Sequence, residues 1–138
     1  MKILKAKIFA RDKHKGQLDD MGLDYFETHV AQVVRILHEI TDDSDIICAA
    51  YLHDTLEDTN TTYDELMENF GVVIADLVNE LTHEGKPDNK GFFFPRLKSH
   101  KAILIKFADR LSNLSRMQNW NEKRKYQYLR KSKFWSSE

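Results

Sequence analysis

One imidazole and three carboxylates fall within the segment His53-Asp54-Thr55-Leu56-Glu57-Asp58. Carboxylates this close repel one another in a partly buried site unless a positive charge lies between them. A bound divalent cation supplies that charge. If the helix continues through the segment, His53 shares a face with Glu57, and Asp54 shares one with Asp58. The segment therefore predicts a metal-dependent site, whereas a lone His-Asp pair would be read as a helix end turning to solvent.

Two distant residues are candidates to complete the ligand set. Asp109 follows residues 102–108, a stretch that is apolar except for Lys106, and an unpaired carboxylate is costly to bury there. A structural ion pair with Lys106 or Arg110 is the alternative interpretation of Asp109. His29, taken alone, fits a half-buried surface histidine equally well. A mixed imidazole and carboxylate set suits Mn²⁺, Fe²⁺ or Zn²⁺ and argues against a closed thiolate site. The predicted set is His29, His53, Asp54 and Asp109.

The elements that must position these residues are predicted to be helices. The 138 residues include only two prolines and five glycines, and apolar residues recur at helical spacing over long stretches. No window alternates strictly between apolar and polar residues at strand length, so the fold class is predicted to be all-α. The predicted helices cover about residues 2–17, 25–40, 45–55, 62–70, 72–81, 97–117 and 121–135.

Local signals predict several helix ends and inward faces. Residues 41–44 supply N-cap side chains for the third helix, and Thr62 with Glu65 fits a capping box. Gly71 suits the position after a helix end. Residues 82–96 form the longest predicted loop, and loops of that length are usually functional or mobile. The apolar positions expected to face inward in three helices are Ile3, Ala6, Ile8 and Ala10, then Val30, Val33, Val34 and Leu37, then Val73, Ala75, Val78 and Leu81.

Size and composition limit the class of protein. We expect residues 1–138 to form a single domain, and 41% hydrophobic residues suffice for a core. A net charge of −1 gives no general attraction to nucleic acid or to anionic membranes. Cys48 is the only cysteine, which fits a reducing compartment. With no signal peptide or long apolar run, we predict a cytoplasmic monomer or homodimer with no nucleic-acid or membrane partner.

The order His29, then His53-Asp54, then Asp109 resembles the H…HD…D signature of the HD-domain phosphohydrolases. The chain is more specifically similar to the hydrolase domain of RelA/SpoT-type proteins and to the stand-alone small alarmone hydrolases. Four segments carry the likeness: residues 10–17 to A-x-x-x-H-x-x-Q, 52–59 to L-H-D-T-V-E-D-T, 70–82 to F-G…L-V…L-T, and 105–114 to V-K-L-A-D-R-L-x-N-L.

The resemblance implies a compact HD-domain helical bundle with a central metal site. It implies removal of the 3′-pyrophosphate of a nucleotide substrate, (p)ppGpp, with Mn²⁺ as cofactor. From the length of 138 residues we expect no room for the synthetase domain of bifunctional relatives. The four predicted ligands take the family's metal positions, and Glu57 and Asp58 match the acidic pair that positions or activates the attacking water. The substrate-contacting positions implied by the resemblance are Lys13, His14, Asn113, Arg124 and Tyr128. For Arg124 and Tyr128, a solvated basic face on the last helix is the competing interpretation.

Some residues depart from the family pattern and keep other substrates open. Asp12 stands where the family often has a basic residue, Phe26 and Val30 replace Tyr and Pro around the first ligand, and Ser112 stands where His or Tyr is common. A 5′-nucleotidase or an NADPH phosphatase is therefore the alternative activity. A non-catalytic nucleotide sensor is the alternative of another class, and the intact pair of Glu57 and Asp58 argues against it.

Overall fold

The computed structural model describes residues 2–83, 95, 97–115 and 121–132. Within these ranges the chain is helical and has no strand, apart from one bridge pair between Leu18 and Asp24. The predicted all-α class is therefore confirmed. The helices are α1 (Lys2–Lys13), a π-helical turn (Phe26–Val30) that leads into α2 (Ala31–His38), α3 (Ser44–Leu52), α4 (Thr55–Asp58), α5 (Tyr63–Phe70), α6 (Val72–Glu80), α7 (His100–Leu114) and α8 (Glu122–Ser132).

Helix α3 lies at the centre of the fold. Every residue from 46 to 52 is buried, and a helix that is apolar all round needs neighbours on every side. Helices α1, α2, α6 and α7 supply them. Asp43 caps the start of α3 by accepting hydrogen bonds from the backbone N–H groups of Asp45 and Ile46, over 2.9 and 3.2 Å. Because α3 is buried up to Leu52, the residues at its C-terminal end lie in the interior of the fold.

The predicted inward faces are confirmed with two exceptions. Ala6 and Ala10 are buried on α1, whereas Ile8 is 41% exposed because it lies two residues from Ala6, on the opposite side of the helix. On α6, Val73 is 58% exposed, and its neighbour Ile74 takes the inward position. None of the helices within the described ranges is both long and apolar enough to cross a bilayer.

The caps are largely as predicted, but several helix ends differ. Thr62 accepts from the N–H of Glu65 over 3.1 Å, and α5 ends before Gly71, whose φ of +91° favours glycine. Helix α1 ends at Lys13 and not near residue 17, and α7 begins only after its cap Ser99. Most of the predicted loop 82–96 and the predicted helix ends at residues 116–117 and 133–135 lie outside the described residues.

Candidate metal centre

The central helix is interrupted at the residues that carry two of the predicted ligands. The Nδ1 atom of His53 donates to the carbonyl of Ala50 over 2.6 Å, and the hydroxyl of Thr55 donates to the carbonyl of Leu52 over 2.7 Å. Side chains thus take carbonyls that a continuing helix would use. Helix α3 ends at Leu52 and not near Thr55 as predicted, and Asp54 adopts φ −101° and ψ 0° before α4 begins.

This break lets two consecutive residues reach the same point. In an uninterrupted helix, neighbouring side chains point about 100° apart around the axis. Here Nε2 of His53 lies 3.1 Å from Oδ2 of Asp54. The N–H of Asp58 still donates to the carbonyl of Asp54 over 2.9 Å, so α4 starts directly from the site.

The other two predicted ligands come from the π-helical turn and from α7. The turn carries His29 and closes with a bond from the N–H of Ala31 to the carbonyl of Phe26. The α-helix predicted from residue 25 thus begins as a π-helix, and single π-turns are frequent at functional sites. Asp109 lies in the last turns of α7, which packs against α2 and α3.

The four predicted ligands converge on one buried point. Nε2 of His29 lies 2.9 Å from Oδ1 of Asp109 and 3.7 Å from Oδ2 of Asp54. Nε2 of His53 lies 3.3 Å from the same Asp109 oxygen. One donor atom from each of the four residues lies within 4.8 Å of the other three. The sequence-predicted set is therefore assembled in the fold, and two imidazole nitrogens with two carboxylate oxygens suit a divalent transition metal.

Three of the four ligands are held from outside by a further group. His53 donates to Ala50, and the Nδ1 atom of His29 lies 3.0 Å from Oγ of Ser112. When Nδ1 of a neutral imidazole carries the proton, Nε2 has the lone pair that binds a metal. Lys106 lies 3.3 Å from Oδ2 of Asp109 and leaves Oδ1 to the imidazoles. The ion pair considered as an alternative for Asp109 thus exists together with the cluster.

The electrostatics of the cluster favour positive charge at its centre. Burial raises the pKa of Asp54, but the imidazole of His53 outweighs it and holds that pKa below its usual range. Burial also opposes ionisation of Asp109, yet Lys106 and His29 hold its pKa well below the ordinary value. Burial lowers the pKa of His53, and the two carboxylates raise it well above normal. A divalent cation would supply the positive charge that the two carboxylates require, and the imidazoles could then bind it as neutral ligands.

The acidic pair predicted to act on water, Glu57 and Asp58, lies on α4, the short helix that starts directly after Asp54. Glu57 and Asp58 are both exposed residues of α4. Oε1 of Glu57 accepts from the backbone N–H of His83 over 2.8 Å, and Oδ2 of Asp58 accepts from Nε2 of Gln17 over 3.3 Å. The carboxyl group of Asp58 is nevertheless partly shielded from water, and this shielding and then the charge of Asp54 raise the pKa of Asp58. A carboxylate with a raised pKa is suited to accept a proton from water.

Sequence reasoning assigned no role to Tyr25, which touches the cluster directly. Its hydroxyl donates to Oδ2 of Asp54, the oxygen that faces His53. Burial and the charge of Asp54 raise the pKa of Tyr25, so the hydroxyl keeps its proton. Tyr25 lies four residues before His29, and that helical spacing is the signal by which it could have been found.

The two predicted substrate residues near the end of α1 face different surroundings. His14 is fully buried, lies 2.8 Å from Oε1 of Gln17 through Nδ1, and has no hydrogen-bond partner at Nε2 among the described residues. It therefore belongs to the group around Asp58. Lys13 instead lies 3.2 Å from Glu65 and 3.3 Å from the side-chain oxygen of Asn60.

The other three predicted substrate residues lie on α7 and α8. The amide of Asn113 donates to the hydroxyl of Tyr128 over 2.8 Å, so these two are brought together. The guanidinium of Arg110 stacks on the Tyr128 ring at 4.7 Å. Arg124 is instead joined to Asp20 in the segment before the π-turn, at 2.7 Å.

Comparison with known proteins gives two kinds of match in sequence. Residues 6–87 match the HD domain family, a span that includes three of the four clustered ligands. The chain is 38% identical over 150 residues to guanosine-3′,5′-bis(diphosphate) 3′-pyrophosphohydrolase MESH1 of Xenopus tropicalis, covering 99% of this chain and 81% of that protein. It is 36% identical over 131 residues to guanosine-3′,5′-bis(diphosphate) 3′-pyrophosphohydrolase of Aquifex aeolicus. That alignment covers 89% of this chain but only 19% of the Aquifex protein.

A solved structure shares the fold. It is that of a metazoan ortholog of SpoT, which hydrolyzes ppGpp and plays a role in starvation responses. The two superpose with a TM-score of 0.79 at 28% sequence identity, over 96% of this chain and 82% of the other. The likeness therefore extends beyond residue 87, over nearly the whole chain.

Proposed function

This chain belongs to the HD-domain family, and we propose that it is a metal-dependent hydrolase that removes the 3′-pyrophosphate of (p)ppGpp. The products are GDP or GTP and pyrophosphate. The main support for a metal-dependent hydrolase is the buried cluster of two imidazoles and two carboxylates, whose ligand atoms lie within 4.8 Å of one another. The substrate is supported by the names of the Xenopus and Aquifex relatives and by the likeness to the metazoan SpoT ortholog that hydrolyzes ppGpp.

The residues present fit a divalent cation. Nδ1 of His53 donates outward to a backbone carbonyl, so a lone pair on Nε2 would face two carboxylate oxygens unless a proton or a cation lies between them. We propose Mn²⁺ as that cation, held by His29, His53, Asp54 and Asp109. When bound, it would lower the pKa of water and offset phosphate charge.

The protein residues around the cluster have distinct proposed roles. Asp58, with its raised pKa, accepts a proton from the attacking water, while Gln17 fixes the carboxylate by donating to Oδ2. Glu57, tied to the backbone of His83, orients the same water. Tyr25 holds Asp54. The water oxygen forms a bond to phosphorus, the bond from phosphorus to the ribose 3′ oxygen breaks, and the proton passes to that oxygen as pyrophosphate leaves.

One observation favours a second candidate substrate class. Arg124 and Lys13, two cations predicted to contact phosphate, are paired with the carboxylates of Asp20 and Glu65. A substrate with fewer phosphate groups carries less negative charge, so it depends less on contacts with these two side chains. A nucleotide phosphomonoester, as in a 5′-nucleotidase or an NADPH phosphatase, is therefore the alternative.

The test is turnover by purified protein with MnCl₂ and a panel of ppGpp, 5′-nucleotides and NADPH, with products separated by ion-exchange chromatography. We expect pyrophosphate and GDP from ppGpp, and little inorganic phosphate from the monoesters. Turnover of a monoester with ppGpp left intact would contradict the proposed substrate but would still support a metal-dependent hydrolase activity. Saturable binding of ppGpp without turnover of any substrate would favour a sensor.

A further inference from the structure

The imidazole of His29 is supported from behind by two polar side chains that face away from the cluster. Its Nδ1 lies 3.0 Å from Oγ of Ser112, and that hydroxyl donates to Oε1 of Gln32 over 2.8 Å. We propose that Gln32 and Ser112 are positioning residues that determine which nitrogen of His29 carries the proton. They thereby set the metal affinity of the centre.

The direction of the hydrogen bonds carries this inference. A serine hydroxyl has one proton to donate and lone pairs to accept with. Because Ser112 gives its proton to the oxygen of Gln32, its own oxygen must accept the N–H at Nδ1 of His29. The proton of the neutral ring then sits on Nδ1, and the lone pair of Nε2 faces Asp109 across 2.9 Å.

Gln32 acts only through Ser112. With no acceptor at position 32, the hydroxyl of Ser112 can rotate and donate to Nδ1. That arrangement favours the other tautomer, in which Nε2 carries the proton and offers no lone pair to a metal. Both His29 and Ser112 are buried, at 1% and 0% exposure, so the hydroxyl of Ser112 is itself shielded from bulk water.

The relay joins the two elements that supply distant ligands. Gln32 lies three residues after His29 at the start of α2, and Ser112 lies three residues after Asp109 on α7. Each support residue is therefore on the same helical face as one ligand. The inference rests on the proposed function only for the existence of a metal centre.

The experiment is calorimetric titration of the full chain with MnCl₂ alone, without nucleotide. We expect Ser112→Ala to weaken Mn²⁺ binding by roughly 10- to 100-fold, the usual effect of removing an outer partner of a ligand. Gln32→Met, which keeps the length and loses the acceptor, should also weaken binding. Gln32→Glu keeps an acceptor oxygen and should retain it. The double variant of Ser112→Ala and Gln32→Met should bind no worse than Ser112→Ala alone.

A matched control removes the same group elsewhere on the chain. Ser44 is exposed at the start of α3, away from His29 and Ser112 in the chain, and Ser44→Ala should leave the affinity unchanged. Affinity of Ser112→Ala equal to that of the unmodified chain would overturn the inference. Losses that multiply in the double variant would show that Gln32 does not act through Ser112. If the unmodified chain itself binds no Mn²⁺, the proposed metal centre fails instead. If Ser112→Ala does not fold, the comparison of Gln32→Met with Gln32→Glu decides.

Discussion

Nε2 of His29 lies 2.9 Å from Oδ1 of Asp109, although 80 residues separate them along the chain. The same oxygen is 3.3 Å from Nε2 of His53. Since the other nitrogen of each ring faces an outer partner, these short contacts require a proton or a cation between the facing atoms. The cluster is thus built to hold positive charge in a buried place.

Mn²⁺ should stabilise the folded protein because it binds a site that the unfolded chain does not form. At a concentration 100 times its dissociation constant, the gain is about 2.7 kcal/mol, or roughly 5–10 °C in the unfolding temperature. His53→Ala should abolish this rise in scanning calorimetry. His38→Ala, which removes an exposed histidine of α2, is the control and should keep it. An undiminished rise in His53→Ala would exclude His53 as a ligand.

Turnover and metal binding should separate in the acidic pair. Asp58→Asn removes the proposed proton acceptor and should lower kcat by about 10²- to 10⁴-fold, the usual contribution of a general base. The dissociation constant for Mn²⁺ should change little, because Asp58 is outside the ligand cluster. Glu57→Gln should behave similarly, and Glu68→Gln on α5 should have no effect on either quantity. Full activity in Asp58→Asn would leave Glu57 as the acceptor.

The pH profile should report the environment of Asp58. Burial and the charge of Asp54 raise its pKa above the ordinary 3.8. A base works only when deprotonated, so kcat/KM should rise with pH through the pKa of Asp58, and this rise is the acid limb of the profile. The bond from Gln17 lowers the pKa of Asp58, so Gln17→Leu should move the limb to still higher pH. An acid limb unmoved by Gln17→Leu would assign that limb to another group.

Asp43 should contribute to stability as the cap of α3. Asp43→Ala should lower the free energy of unfolding by about 1 kcal/mol at pH 7, as is typical for such a cap. The hydrogen bond from Lys101 holds the pKa of Asp43 below its usual 3.8. A lowered pKa stabilises the fold above the unfolded value, and this stabilisation is lost as pH falls through the folded value. Urea titrations should therefore show the difference shrinking in acid, while Asp42→Ala should cost little at either pH.

Arg124 should matter for substrate more than for stability. Its pair with Asp20 is half exposed on both sides, at 50% and 56%, and such pairs contribute about 0–1 kcal/mol. Arg124→Ala should leave the unfolding temperature nearly unchanged and raise KM for ppGpp roughly 10-fold by removing a charged hydrogen bond. Asp20→Asn should lower KM, since the guanidinium then loses a competing carboxylate. Lys123→Ala on the same helix is the control, and an unchanged KM in Arg124→Ala would remove it from the substrate site.

Helix caps and inward faces are accessible to sequence reasoning because they depend on contacts within a few residues. Asp43 and Thr62 cap their helices by bonding the N–H groups two or three positions ahead. Ile8 and Val73 were predicted to face inward but are exposed. The prediction fails there because a helix can have apolar residues on several faces, and only tertiary packing decides which face meets the core. The end of α3 is missed because a side chain, His53, takes the carbonyl that would extend it.

The sequence by itself predicted the all-α class and named the four residues that cluster, because an Asp behind an apolar stretch and an HD pair among acidic residues both require compensating charge. His29 entered the predicted set only together with these residues. Only the tertiary structure decided how those ligands are held. The relay from Gln32 through Ser112, the bond from Tyr25 to Asp54 and the pairing of Arg124 with Asp20 join segments from different parts of the chain. Such contacts exist only after α2, α3 and α7 have packed together, because no local pattern in the chain specifies which distant polar group will face another.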